Sequence, residues 1–284
     1  MAEELEIKLT ISQENVPAVA QWVSTLPEAR FGEEKRLVNR YFDTPTADLN
    51  REKAALRVRQ AGDHFIQTLK TRGDFVAGAH RRQEWEWPLP GPNLQLGLLA
   101  DSPLAERVNL AELSAIFETN FQRRTWWIVT DDAEIEVALD SGQVVNGDHI
   151  LPLHEVEFEL KAGDPGALMS YAQILAATVP VFLNLVSKAE QGYHLAGLYH
   201  PRVETGTGPL TVEGFLRRLS LAWLTGASPE VREDELKGLR SISHTFQTPS
   251  NPDSVFDAIK SGTPIRSLAS APDLGQLQLA LARA

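Results

Sequence analysis

The stretch EELEIKLTI (3–11) sets Glu4, Glu6 and Lys8 in alternation with Leu5, Ile7 and Leu9. HEVEFELKAG (154–163) repeats the pattern: Glu155, Glu157 and Glu159 alternate with Val156, Phe158 and Leu160. Period-two alternation predicts strands, and on a strand every second side chain points to the same face. Each stretch should carry one apolar and one charged face. What the charged faces look at decides the fold: bulk water, or a lumen that holds something.

Outward from these two stretches the pattern recurs. RLVNRYFDTP (36–45), KAALRVRQAG (53–62), HFIQTLKTRG (64–73), HRRQEWEWPLPG (80–91), FQRRTWWIVT (121–130) and AEIEVALDSG (133–142) all read as strands. Gly62-Asp63 reads as a hairpin turn, and so does Asn146-Gly147 after a short strand QVVNG. Helical spacing marks 13–26 and 164–178, the second with Asp164 as N-cap and Pro165 at its first position. LAELSAIFE (110–118) reads as a short helix.

Opposite the apolar faces lie Arg57 and Arg59; Thr68 and Lys70; Arg82, Glu84 and Glu86; Arg123; Glu134, Glu136 and Asp140. Asn39, Tyr41 and Asp43 share one parity on the second strand. An ordinary one-sided antiparallel sheet would turn these to water. Two features favour a lumen. Carboxylates concentrate on the first and last strands and cations on the middle ones, and Ser, Thr and Gln are few on these faces. Side chains two apart on one face stand about 7 Å from each other, so carboxylates crowded into a cavity demand a cation. A hard divalent ion suits them, and a polyanion suits the Arg and Lys groups. Magnesium bridging carboxylate and phosphate oxygens would use both halves.

Composition narrows the classes. The 284 residues carry a formal net charge of −11, 43% hydrophobic residues and no cysteine. That excludes thiolate chemistry and disulfides, and it argues against nucleic-acid binding driven by net charge. No apolar run is long enough to span a bilayer, and the charged N-terminus does not resemble a signal peptide, so a cytoplasmic location is expected. The seven histidines show no metal-ligand spacing, and neither GxxxxGK[ST] nor GxGxxG is present. Trp85, Trp87, Trp126 and Trp127 are expected to pack between strands and outer helices. Past about 204 the pattern changes: TGTGPLT (205–211) has linker composition, and three helical segments follow. The expected division is 1–204 for the sheet domain and 205–284 for a helical extension. Phe215, Leu216, Leu219, Leu221, Trp223 and Leu224 should fold the extension into a small bundle away from the charged faces.

With these residues in view the chain resembles the CYTH superfamily, the triphosphate tunnel metalloenzymes. The carriers are the ExExK run Glu4–Lys8, YFDTP (41–45), Arg57-x-Arg59, TLK ending at Lys70, Arg82-x-Glu84, Arg123, ALDSG with Asp140, Glu155-x-Glu157-x-Glu159 and SKAEQGY with Lys188, in family order over about 1–200. The resemblance implies an α+β fold: a closed antiparallel eight-stranded β-barrel with outer helices, its charged residues inside. Within the family the chain is most similar to bacterial inorganic triphosphatases with a C-terminal helical extension, often a CHAD domain. Here the extension is shortened and lacks that domain's histidines and basic helices, so polyphosphate binding is not carried over to it. The implied activity is hydrolysis of inorganic triphosphate to pyrophosphate and phosphate with Mg²⁺ or Mn²⁺. Lys8, Arg57, Arg59, Lys70, Arg82, Arg123 and Lys188 would bind substrate. Glu4, Glu6, Asp140, Glu155, Glu157 and Glu159 would hold metal, and Glu4, Glu6, Lys8, Glu157 and Glu159 would be catalytic. Gln191 stands where a basic residue is expected. Thiamine triphosphatase, class IV adenylyl cyclase and a non-catalytic polyphosphate or nucleotide-binding module are the alternatives. Neither nucleic acid nor membrane is an expected partner, and the chain is expected as a monomer or homodimer.

Overall fold

The computed structural model describes residues 2–71, 73–76, 79–100, 102, 104, 107–202, 210–245 and 251–283, with only the backbone described for 2, 3, 74–76 and 80–82. β1 (Ala2–Thr10) leads through α1 (Val16–Thr25) to β2 (Ala29–Asp43). A one-turn helix α2 (Asp48–Arg51) precedes the hairpin β3 (Ala55–Ala61) and β4 (His64–Lys70). Then come β5 (Asp74–Val76), β6 (Ala79–Leu89), β7 (Ser114–Val129), β8 (Ala133–Asn146), β9 (His149–Gly163), α3 (Gly166–Ala176), β10 (Phe182–Leu183) and α4 (Lys188–Leu195). The chain continues through α5 (Val212–Thr225), α6 (Glu233–Thr245), α7 (Pro252–Lys260), α8 (Ile265–Leu268) and α9 (Pro272–Arg283).

One large antiparallel sheet runs in the order β10-β1-β9-β8-β7-β2-β3-β4-β6-β5. The first turn forms where expected, Ala61 facing His64 across Gly62-Asp63, and the second falls one residue later than expected, Asn146 facing His149 across Gly147-Asp148. Gly62 and Gly147 have φ of 60° and 56°, the left-handed backbone such two-residue turns require. β1 pairs with β6 over Ala2–Glu6 and with β9 over Glu6–Thr10. The two ladders overlap only at Glu6. The expected closed eight-stranded barrel is thus corrected: the sheet has ten strands, and its two ends meet through β1 without being laddered along the full height of the strand.

Three local expectations also change. The predicted helix over 110–118 is a turn of 3-10 helix at Leu110–Glu112 followed by the start of β7. Its leucines have helical spacing, but the run from Ala115 to Thr119 pairs with β2 on one side, and from Glu118 onward β7 also pairs with β8; tertiary pairing overrides a weak local preference. QVVN is the end of β8, not a separate strand. β2 begins seven residues before Arg36, on an exposed stretch without alternation, and it reaches its register with β7 through a bulge between Phe31 and Glu34. The predicted linker over 205–211 lies largely outside the described residues.

The apolar faces look outward. Ile7, Leu9, Val137, Val156 and Phe158 pack against Trp22 of α1 and Leu175 of α3, and Leu216 of α5 and Leu279 of α9 join the same core. Trp126 is buried in it, while Trp85 and Trp87 pack at the edge of another cluster around Leu56 and Leu69. The C-terminal helices add a core of their own around Phe215, Leu219, Phe256 and Leu277. The C-terminal helices thus have a core of their own and also pack on the outer face of the sheet. The inner face of the sheet is left for the charges. Its apolar end is capped by α4, where Tyr193 packs edge-on to Phe117, 5.3 Å between ring centres, and Phe117 stacks on Tyr41 at 4.6 Å. Gly192 is required there, because a Cβ would sit 2.0 Å from the Phe117 ring.

Candidate active site

The charged faces meet around a cavity of about 360 Å³. Ten of the predicted residues line it: Glu4, Glu6, Lys8, Arg57, Arg59, Lys70, Arg123, Glu157, Glu159 and Lys188. Among the described residues seven carboxylates and seven cations face it, Glu84, Glu86, Glu136 and Lys161 completing the set. The charges of the described lining therefore cancel, and any preference for an anion comes from how they are distributed.

Asp140 and Glu155 do not line the cavity. They are among the residues expected to hold metal and lie behind it, at 0% and 1% exposure. Asp140 accepts two hydrogen bonds from Arg123, each 2.7 Å. Its Oδ2 is 3.0 Å from the Lys188 ammonium, and Glu155 Oε2 is 2.7 Å from it. Glu157 bridges the same two cations, accepting from Arg123 at 2.6 Å and from Lys188 at 2.6 Å. Three carboxylates and two cations thus form one buried network on β7, β8, β9 and α4. Burial would raise the Glu157 carboxyl, but Lys188 and Arg123 hold it well below the ordinary carboxylate range. Burial likewise works against the Lys188 ammonium, yet Glu155, Glu157 and Asp140 keep it well above its usual value. Gln191 sits beneath, fully buried, donating to Glu155 at 3.0 Å. It supports the network from behind the cavity.

The cations of β3 are differently placed. Arg57 is buried, its Nε has no hydrogen-bond partner, and the Glu84 carboxylate is 3.9 Å away. Arg59 donates to Asn39 Oδ1 at 2.7 Å. Burial, Arg57 and Arg123 push the Arg59 guanidinium down to about 9, the mark of a cation short of anions. Tyr41 lines the cavity beside them. Burial would raise its hydroxyl, but Arg57, through charge and a hydrogen bond, lowers it. Lys70 reaches Glu4 at 2.8 Å. Lys8 is buried and donates to the Val186 carbonyl; burial lowers its ammonium. The side chain of Arg82 lies outside the described residues, while its backbone stands opposite Glu4 across the β1–β6 pair.

The register explains the acidic face. Glu136 of β8 pairs with Glu159 of β9, which pairs with Glu6 of β1. Three carboxylates therefore stand side by side on three neighbouring strands, an arrangement that destabilises by repulsion. Burial raises the Glu159 carboxyl above its ordinary range, and Glu4 and Glu136 raise it further against the opposing effect of Lys161, 2.7 Å away. Among the described residues no three such groups converge into a ready-made metal cage. The donor set nevertheless suits a hard divalent cation: oxygen ligands only, several of them crowded, with one carboxyl raised by burial and by its acidic neighbours. Glu136 was visible in the sequence but absent from the predicted site. Lys161 follows Glu159 at the same parity, so one further step along β9 would have found it.

A profile of the CYTH domain matches residues 2–193. The chain is 33% identical over 199 residues to the inorganic triphosphatase of Haemophilus influenzae, a match covering 69% of this chain and 55% of that protein. It thus spans about half the length of that curated relative. Among solved structures it is similar to a Hippeastrum protein described as an adenylyl cyclase with a dominant triphosphatase activity, with a TM-score of 0.52, 19% identity, and coverage of 70% of this chain and 98% of the other. At that identity the likeness concerns the fold.

Proposed function

The chain belongs to the CYTH family, and from that premise we propose that it is an enzyme hydrolysing inorganic triphosphate to pyrophosphate and phosphate with a divalent cation, Mg²⁺ or Mn²⁺. The observation that carries this reading is the juxtaposition of the Glu136–Glu159–Glu6 row with the under-compensated Arg59 around one cavity. Carboxylates crowd one face, where Lys161 serves both Glu136 and Glu159, and on the other Arg59 relies on a neutral amide. A polyphosphate with its cation would bring counter-charge to both. The Haemophilus relative named inorganic triphosphatase supports the choice of reaction.

Phosphoryl transfer is governed by positioning and charge stabilisation more than by covalent chemistry. Arg57 and Arg59 take the non-bridging oxygens of the chain, with Lys70 and Arg82 as further ligands. Arg123 and Lys188 are held rigidly by Asp140, Glu155 and Glu157, so their donors need no reorganisation when charge shifts onto the leaving group. Glu4, Glu6, Glu136 and Glu159 are the residues that would hold a metal. A bound divalent cation neutralises phosphate oxygens and polarises water. Water adds to the terminal phosphorus while the bond to the bridging oxygen breaks, and pyrophosphate departs with the electron pair. Glu159, whose carboxyl burial raises above its ordinary range, accepts the proton of the water.

Turnover of inorganic triphosphate, ATP and thiamine triphosphate in parallel, with Mg²⁺ and then with EDTA, tests the reading. Inorganic triphosphate is expected to be consumed fastest, and EDTA to stop it. Preference for thiamine triphosphate, release of cyclic AMP from ATP, or binding without turnover would each replace this reading with the corresponding alternative.

A further inference from the structure

The segment that carries Lys188 into the cavity is an edge without a strand beside it. Residues 182–187 run along β1. Their even-numbered members turn inward: the Asn184 N–H donates to the Lys8 carbonyl at 3.2 Å, and the Val186 carbonyl accepts from the Lys8 ammonium. The odd-numbered members turn outward, where a sheet would supply another strand. Here three side chains from the C-terminal helices take its place. Gln278 of α9 accepts from the Leu183 N–H at 2.9 Å and donates to the Leu183 carbonyl at 3.0 Å. Ser220 of α5 accepts from the Leu185 N–H at 3.0 Å. Arg217 of α5 donates to the Leu185 carbonyl at 3.1 Å. Gln278 and Ser220 are fully buried, and α9 lies so close that a Cβ on Gly275 would be 2.1 Å from the Val181 carbonyl.

Arg217 reaches one step further. Its second guanidinium nitrogen binds the Glu190 carboxylate and, at 3.2 Å, the Tyr199 hydroxyl. Glu190 is the third residue of α4 and closes a capping box: its carboxylate accepts from the Ser187 N–H at 2.8 Å, and its own N–H donates to Ser187 Oγ at 3.1 Å. Lys188 lies between them, at the first position of α4. Its direction into the cavity is fixed by a helix start that Arg217 holds from outside.

We propose that the C-terminal helices are a positioning device for the cavity, with Arg217, Ser220 and Gln278 setting the Ser187–Lys188 turn and through it the ammonium of Lys188. They are positioning residues: among the described contacts none of the three reaches the cavity. The C-terminal region therefore belongs to the working site, in place of the expected bundle that stands away from it. A chain ending near Pro201 leaves four backbone groups of Leu183 and Leu185 without their partners and opens the edge of the sheet.

The test uses the full chain and two readouts. The first is independent of any activity: the rate at which Lys188 is acylated by a small amine-directed reagent, followed by mass spectrometry of its peptide. In the wild type it is buried among three carboxylates and reacts slowly. Arg217→Met should speed it about tenfold, the scale of one charge-assisted hydrogen bond, while Lys237, exposed on α6, is unaffected. Ser220→Ala, the milder change, should act in the same direction, and Arg217→Lys should recover part of the loss. The second readout rests on the triphosphatase reading: a double-mutant cycle of Arg217→Met with Lys188→Gln on kcat. Acting through Lys188, Arg217→Met should cost several-fold in the wild-type background and little in Lys188→Gln. Unchanged acylation of Lys188 in the Arg217 and Ser220 variants, or fully additive losses in kcat, would overturn the proposal. A wild type that does not turn over triphosphate, with Lys188 acylation still accelerated in the variants, would leave the positioning role standing and sink only the functional reading.

Discussion

Two walls of one cavity handle the same kind of charge in opposite ways. On the β7–β8–β9–α4 wall every cation has its anions: Arg123 and Lys188 share Asp140, Glu155 and Glu157 at 2.6–3.0 Å. On the β3 wall Arg57 has no partner for its Nε and its nearest carboxylate, Glu84, stands off at 3.9 Å, while Arg59 relies on a neutral amide. The first wall is finished before any ligand arrives; the second is completed by one. Charge density alone therefore does not say which residues bind. What differs is whether the protein has already supplied the counter-charge, and the two walls should respond to mutation in opposite senses.

The largest effect is expected on the finished wall. Asp140→Asn leaves Arg123 and Lys188 short of a buried partner, and breaking such a pair costs about 3–5 kcal/mol. Urea unfolding should show that loss. A stability within about 1 kcal/mol of wild type would erase the contrast between the walls.

The matching change on the open wall, Arg59→Gln, removes a cation crowded by Arg57 and Arg123. Stability should stay level or rise slightly, while affinity for inorganic triphosphate drops about tenfold, as for one charge-assisted hydrogen bond. A clear loss of stability here would place Arg59 with the finished wall.

Metal sharpens the comparison further. Glu159→Gln removes the central member of the carboxylate row. Turnover should then require a higher Mg²⁺ concentration or be lost, with the far-ultraviolet circular dichroism unchanged, since Glu159 lines the cavity and not the core. Wild-type turnover at low Mg²⁺ would remove the row from the metal assignment.

The smallest effect concerns pH and the support behind the finished wall. Burial raises the Glu190 carboxyl, but Arg217 outweighs it and the net value is lowered. A carboxyl lowered in the folded state contributes stability above the ordinary carboxylate range, and that contribution fades as pH falls through the lowered value. Arg217→Met removes it, so the stability gap between wild type and variant should be widest near pH 7 and shrink below about pH 4. A gap that is constant with pH would mean that Arg217 acts by packing alone.

The sequence made the faces legible but not the depth along them. Parity placed Glu4, Glu6, Arg57, Arg59, Glu157 and Glu159 on the inner face, because the pleat fixes a period of two and the outer helices claim the other face. Asp140 and Glu155 share that parity and still miss the cavity. They lie one register step nearer the α4 end than Ala138 and Glu157, where aromatic packing closes the lumen. No pattern within a single strand encodes that position. The role of the C-terminal helices was hidden for a related reason. Ser220 and Gln278 look like ordinary polar residues in helical segments, and only the missing neighbour beside Leu183 and Leu185 gives them work. The strand content of β7 was masked by leucines at helical spacing just before it.

The contrast between the walls is tested most directly by calorimetric titration of inorganic triphosphate, without Mg²⁺, into the wild type and into the double variant Arg57→Gln/Arg59→Gln, with urea midpoints measured on the same samples. The expected result is binding about a hundredfold weaker in the double variant, as for two charge-assisted hydrogen bonds, with an unchanged or higher urea midpoint. Equal affinities, or a weakened affinity that only follows a lowered midpoint, would contradict the account of an open cationic wall that awaits its anion.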